Sequence, residues 1–277
     1  MKMIHLTDTH FVPKGKTLYG GDPRANLERC IQDINENHAD ADLCVVTGDL
    51  THWGEAKAFA SLKECLDELK PPLQLLVGNH DARSAFSKCF PDQPVDENGF
   101  IQSSRDYPAG RFLFLDSNKS GQAAGVYCKT RQAWLERELN QAEDRPIYLF
   151  MHHPPFHIGL PSLDRIALVD QEAFADVIRP HAQQIRHLFF GHIHRPLSGN
   201  WLGISFSTLR SMNHQVWLDF KAKKEIPGSF EPPAYAVVLF YPDRLVIHSH
   251  DFMDTSQKFS LSKSPVNDWA KRSWWSR

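Results

Sequence analysis

The chain has 277 residues, 42% hydrophobic and 23% charged, which supplies ample apolar material for a large buried core. A formal net charge of -2 excludes the basic footprint of a protein that holds long polyanions, so no nucleic-acid polymer is expected as a partner. No apolar run reaches the roughly 18 residues of a membrane-crossing helix, so no membrane association is expected either.

Met3 to Thr7 reads as the first strand and runs into Asp8-Thr9-His10. Asp22-Pro23 then opens a helix, an N-cap acceptor followed by proline in the first turn, with Leu27, Cys30, Ile31 and Ile34 on one face. Leu43 to Thr47 is the second strand and ends on Gly48-Asp49. A helix with Ala56, Phe59, Leu62, Leu66 and Leu69 on one face leads to the third, Leu73 to Val77, which ends on Gly78-Asn79-His80-Asp81.

Arg111 to Asp116 is a further strand, and Thr130 is placed to cap a helix carrying Trp134, Leu135 and Leu139. The strand Ile147 to Met151 runs into His152-His153. A helix with Phe174, Val177 and Ile178 inward precedes Ile185 to Phe190, which ends on Gly191-His192-Ile193-His194. This alternation predicts a layered α/β core over residues 1–208.

Beyond it, short strands are expected at Ile204 to Thr208, Val216 to Phe220, Ala234 to Tyr241 and Leu245 to His250. Residues 209–235, charged and rich in Pro and Gly between Lys221 and Pro233, read as a cap or oligomerisation excursion. Residues 236–262 read as strands returning to the core, and 263–277 as a C-terminal tail. The five cysteines show no C-x-x-C spacing. Their odd number and the absence of a secretory leader before the first strand fit reduced thiols and a cytoplasmic protein.

Each polar cluster follows a short apolar run, so all should emerge at one sheet edge. Hydrolysis of a phosphate ester requires a strong nucleophile at neutral pH and neutralised phosphoryl oxygens, which two divalent ions about 3.5 to 4 Å apart supply. We assign Asp8, His10, Asp49 and His194 to one ion and Asp49, Asn79, His152 and His192 to the other. Asp49 is the natural bridge, since a carboxylate can lend one oxygen to each ion. Two dications against two carboxylates leave about +2, or about +1 with a bound hydroxide, which suits an anionic diester. The mixed oxygen and nitrogen donors exclude none of Mn, Fe, Co or Zn. His80 stays off the metals and faces substrate, binding a phosphoryl oxygen or protonating the leaving alkoxide, with Asp81 orienting it.

Together these clusters resemble the calcineurin-like metallophosphoesterases over residues 3 to about 210, and any one of them alone would be weak. The resemblance implies a four-layer αββα sandwich of two mixed sheets flanked by helices, with the same ligand assignments. Within that family the chain is similar to the class III cyclic nucleotide phosphodiesterases, most closely the bacterial glycerophosphodiesterase type. Asp8-Thr9-His10-Phe11, Lys16 to Gly20, Met151 to Pro155 and His214-Gln215-Val216 carry that similarity. It implies attack of a metal-bound hydroxide on small phosphodiesters, with homo-oligomers formed through the C-terminal elaboration.

The alternatives are a 3',5'-cyclic nucleotide phosphodiesterase and, from another class, a non-catalytic protein-binding scaffold; all seven ligands being present disfavours the scaffold. Tyr19, Trp53 and Phe156 follow the motifs and are candidates to wall a pocket for an alcohol group, with Asn79 and His80 also contacting substrate. Plainer expectations hold for other histidines. His5 is a satisfied core residue, His52 a solvated loop side chain, and His153 structural beside its neighbour.

Overall fold

The computed structural model describes residues 1–261; the tail expected over 263–277 lies outside them. The elements run β1 (Lys2–Leu6), α1 (Pro23–Asn37), β2 (Leu43–Thr47), α2 (Ala56–Leu66), β3 (Leu73–Leu76), α3 (Arg83–Cys89), β4 (Ser103–Tyr107) and β5 (Gly110–Phe114). There follow α4 (Lys129–Asn140), β6 (Ile147–Phe150), α5 (Pro161–Asp164), α6 (Gln171–Ile178), β7 (Ile185–Phe189), β8 (Leu197–Trp201) and β9 (Ile204–Thr208). The last are β10 (Gln215–Val216), β11 (Gly228–Ser229), β12 (Tyr235–Phe240) and β13 (Leu245–His250).

Two mixed sheets stack face to face. The first has the order β13-β12-β1-β2-β3 and the second β4-β5-β6-β7-β9-β8. Strands β1, β2 and β3 are parallel, as are β5, β6, β7 and β9, while β12, β13, β4 and β8 run antiparallel to their neighbours. The central strands carry apolar residues without alternation because both faces are covered. Met3, Val45, Leu76, Phe112, Phe114, Phe150, Phe189, Val238 and Phe240 fill the space between the sheets. Helices α1 and α2 bury Leu27, Ile31, Ile34, Phe59 and Leu62 against the outer face of the first sheet. Residues Trp134, Leu135, Leu139, Phe174 and Ile178 of α4 and α6 do the same for the second. The result is the four-layer αββα sandwich.

Asp22 caps α1 by accepting from the backbone N–H groups of Arg24 and Ala25, with Pro23 in the first turn. At α4 the expectation differs: the helix starts two residues earlier than a Thr130 cap implies, at Lys129 with Cys128 at the cap position, and has no side-chain cap. The strand expected from Val216 to Phe220 shortens to β10. Gln215 and Val216 pair with Ser229 and Gly228, the Trp217 N–H donates to the Pro227 carbonyl, and the Asp219 carboxylate then accepts from the N–H groups of Lys221 and Ala222 to form a turn. Strands β4 and β8 carry no apolar run, because each is a half-solvated edge of the second sheet.

Candidate metal centre

The parallel strands deliver the polar clusters to one edge. Asp8 and His10 follow β1, Asp49 follows β2, Asn79 to Asp81 follow β3, His152 follows β6, and His192 and His194 follow β7. Asp8, His10, Asp49, His192 and His194 all adopt positive φ, between 43° and 69°. Non-glycine residues rarely do so, and each such residue costs on the order of 1–3 kcal/mol. Hydrogen bonds across the site hold these turns, from the N–H of Asp8 to the Gly48 carbonyl at 3.0 Å and from that of His10 to the Asp49 carbonyl at 2.9 Å. Gly48 has φ +94°, and a Cβ there would lie 2.6 Å from His152 Nδ1, so only glycine lets β2 pass this close.

The donor atoms form two groups sharing Asp49. Ligand-type atoms of Asp8, His10, Asp49 and His194 all lie within 4.8 Å of one another. His194 Nε2 is 3.3 Å from Asp8 Oδ1, and His10 Nε2 is 3.6 Å from Asp49 Oδ2. On the other side Asn79 Oδ1 lies 3.1 Å from His152 Nε2 and 3.0 Å from His192 Nδ1, and His152 Nε2 is 3.3 Å from Asp49 Oδ2.

The donor set fits a pair of divalent cations. His152 Nδ1 faces the Thr47 carbonyl at 2.8 Å and His194 Nδ1 the His214 carbonyl at 2.8 Å, so each donates there and turns an Nε2 lone pair inward. Buried His192 Nε2 has no hydrogen-bond partner. Electrostatics agree. Burial opposes ionisation of Asp49, yet His152, His80 and His10 around it hold its carboxyl well below the usual range. Burial would likewise lower His152, but Asp49 and Asp8 raise it to about 9, so the field there holds positive charge. For His192, burial and the neighbouring His152 outweigh the pull of Asp49 and Asp8, and it falls to about 3.

Above the two groups opens a cavity of about 480 Å³. Tyr19, His52, Asn79, His80 and His214 line its polar side, and Leu163, Ile166, Val216, Ile226 and Phe230 its apolar side. The excursion therefore reaches the site, through β10, β11 and Phe230. His80 sits at this mouth with Nε2 4.0 Å from Asp49 Oδ2.

Four expectations need correction. Asp81 does not orient His80: its carboxylate accepts from the N–H groups of Gly78, Leu50 and Thr51 and the Thr51 hydroxyl. Burial and the Asp49 charge push Asp81 up to about 6 against those bonds. The His80 ring is set instead by Nδ1 donating to the His52 carbonyl at 2.6 Å. Phe156 does not line the cavity; it packs against Phe190, Trp201 and Phe206 in the second core. Trp53 is 72% exposed and stands at the rim against His52 rather than walling the cavity. His52 is buried, not solvated. His214 and Val216 entered the sequence reading only as part of the family resemblance, without being placed at the site, and Leu163, Ile166, Ile226 and Phe230 had no role in it. The His214 ring lies 4.7 Å from those of both His194 and Tyr19.

The family model for calcineurin-like phosphoesterases matches residues 1–196, which span every one of these ligands. The chain belongs to that family. It is similar to a probable cyclic nucleotide phosphodiesterase of Rhodopseudomonas palustris, 44% identical over 95% of this chain and 97% of the relative. It is also similar to a probable glycerophosphodiester phosphodiesterase of Arcobacter nitrofigilis, 33% identical over 84% of this chain and 86% of that one. A dimetal phosphatase from Danio rerio shares the fold, with a TM-score of 0.68 over 91% of this chain and 96% of that chain at 15% identity. As a calcineurin-like phosphoesterase, the chain presents a His and Asp cluster that suits a dinuclear centre. Among the described residues no helix is long and apolar enough to cross a membrane.

Proposed function

We propose that this chain is a cytoplasmic, dinuclear-metal-dependent phosphodiesterase that hydrolyses small phosphodiesters of the glycerophosphodiester type to a phosphomonoester and an alcohol. The observation that carries the reading is Asp49 between two groups of buried donors beneath a cavity of about 480 Å³. A pair of divalent cations, Mn, Fe, Co or Zn, would be held by Asp8, His10, Asp49 and His194 and by Asp49, Asn79, His152 and His192. It would supply water activation at neutral pH and neutralisation of the phosphoryl oxygens.

The chain's own groups do the rest. His80, fixed through Nδ1, offers Nε2 to the substrate, binding a phosphoryl oxygen or holding the proton that the leaving alkoxide takes. The Asn79 amide and the Tyr19 ring flank the alcohol moiety, and Leu163, Ile166 and Ile226 keep water from the far side of the cavity. The net charge of -2 supports the reading that no nucleic-acid polymer is a partner. The exposed Trp217, Leu218, Phe220 and Phe230 of the excursion support its reading as the surface through which copies associate.

A second reading, hydrolysis of 3',5'-cyclic nucleotides, is favoured by the apolar wall, which suits a flat base, and by the name of the Rhodopseudomonas palustris relative. The test is kcat/KM on glycerophosphocholine, glycerophosphoethanolamine and cyclic AMP after reconstitution with each of the four metals. Preference for the glycerophosphodiesters is the expected result; preference for cyclic AMP selects the second reading. A metal-replete protein inert toward an activated aryl diester would contradict both and favour a binding scaffold.

A further inference from the structure

His52 stands outside the seven ligands yet touches two functional histidines at once. Its Nδ1 lies 3.2 Å from His10 Nδ1. Its backbone carbonyl accepts from His80 Nδ1, and its ring stacks on that of His80 at 4.9 Å and 21°. The segment is held in place from both sides: the Thr51 N–H donates to Asp81 Oδ1 at 2.9 Å and the His52 N–H to the Phe11 carbonyl at 3.0 Å. Trp53 covers the outer edge of the His52 ring at 4.7 Å.

His10 turns Nε2 toward Asp49 Oδ2 and Asp8 Oδ1, 3.6 and 4.0 Å away. A neutral imidazole ligates through the nitrogen that carries no proton, so the His10 proton must sit on Nδ1 and find an acceptor. His152 and His194 each use a backbone carbonyl for that purpose. His10 faces a side chain instead, and the nearest acceptor is His52 Nδ1, which places the His52 proton on Nε2.

We propose that His52 is a positioning residue of the metal centre: its ring accepts the Nδ1 proton of His10 and fixes that ligand's tautomer and orientation. Its carbonyl sets the ring of His80 in the same way. Asp81 then acts one step back, by holding the loop that carries His52. The proposal rests on the metal reading of the site, and concerns the ion held by Asp8, His10, Asp49 and His194 more than its neighbour.

The test compares zinc binding by the full chain and two variants, measured by competition with a chromophoric chelator. The unaltered protein should take up two ions. His52→Phe, which keeps a flat ring but accepts no hydrogen bond, should weaken one of the two sites by about 10–100-fold and spare the other. His52→Asn, whose Oδ1 can accept from His10, should restore affinity close to the parental value, which a packing role alone would not do. Long-range 1H–15N spectra of the zinc-loaded parent, which need no folded variant, should show the His10 proton on Nδ1. Parental affinity in His52→Phe, equal loss in His52→Asn, or a proton on His10 Nε2 overturns the role. A parent protein that takes up no zinc overturns the metal reading itself, and the role with it.

Discussion

At the scale of single residues, His80 is separated from the ligands by one position and by chemistry. Its backbone N–H donates to Asp49 Oδ1 at 2.9 Å, while its ring is turned to the cavity by the His52 carbonyl. Replacing it with Ala keeps the backbone bond and removes the ring. Turnover on a diester should fall by about 10²–10⁴-fold with metal content unchanged, measured by kinetics and elemental analysis on the same sample; loss of metal would contradict the assignment. The ligands themselves were legible because each is a short polar cluster after an apolar strand. His52 was not, because its inward turn comes from the bridge between Phe11 and Thr51 and from the anchoring of Thr51 by Asp81, both contacts distant in sequence. Phe156 was misread for the converse reason: it follows His152 closely, but the chain turns it back onto Phe190 and Phe206.

At the scale of elements, the strand ends are stiffened by a buried ion network that touches no ligand. Asp116, just past β5, accepts from Arg83 Nε at 2.6 Å and lies 3.6 Å from the Arg131 guanidinium. Asn118 then donates from its side-chain amide to the carbonyls of Gly78 and Asp81, clamping the loop that carries Asn79 and His80. Asp116→Ala leaves buried Arg131 without its carboxylate and should cost about 3–5 kcal/mol, read from denaturant unfolding at neutral pH; a cost under 1 kcal/mol would show that the network is not structural. None of this could be read from hydropathy, which marks strands by apolar runs and so found β1, β2, β6 and β7 but passed over the polar edges β4 and β8.

Strand β1 also carries a pH-dependent element. His5 is fully buried, with Nε2 3.0 Å from the Thr47 hydroxyl and its ring edge-on to Phe189 at 5.4 Å. Burial, and then the nearby His187, push it down to about 3, from 6.5 in the unfolded chain. The unfolded state therefore binds more protons between those values, so the contribution of His5 is complete above pH 6.5 and is lost as pH falls toward 3. One such proton gives a slope of about 1.4 kcal/mol per pH unit. His5→Phe should flatten the decline of unfolding free energy between pH 6 and 4 relative to the parent; an unchanged slope would assign the acid sensitivity elsewhere.

At the scale of the molecule, the site exists because the parallel strands of both stacked sheets end at the same side of the sandwich. Asp8, His10, Asp49 and Asn79 come from the first sheet, and His152, His192 and His194 from the second, so neither half could hold both ions alone. The excursion lines the remaining side through His214, Val216, Ile226 and Phe230. The layered core was legible in the alternation of apolar strands and amphipathic helices; of the excursion, only a cap or oligomerisation segment was read, and not the residues that reach the cavity, since they are placed by a two-residue ribbon that no periodicity announces. The central claim is that Asp49 is shared by two metal ions. Crystals grown with excess manganese and measured at the metal absorption edge should show two anomalous peaks about 3.5–4 Å apart with the Asp49 carboxylate between them. A single peak, or two peaks away from Asp49, would contradict it.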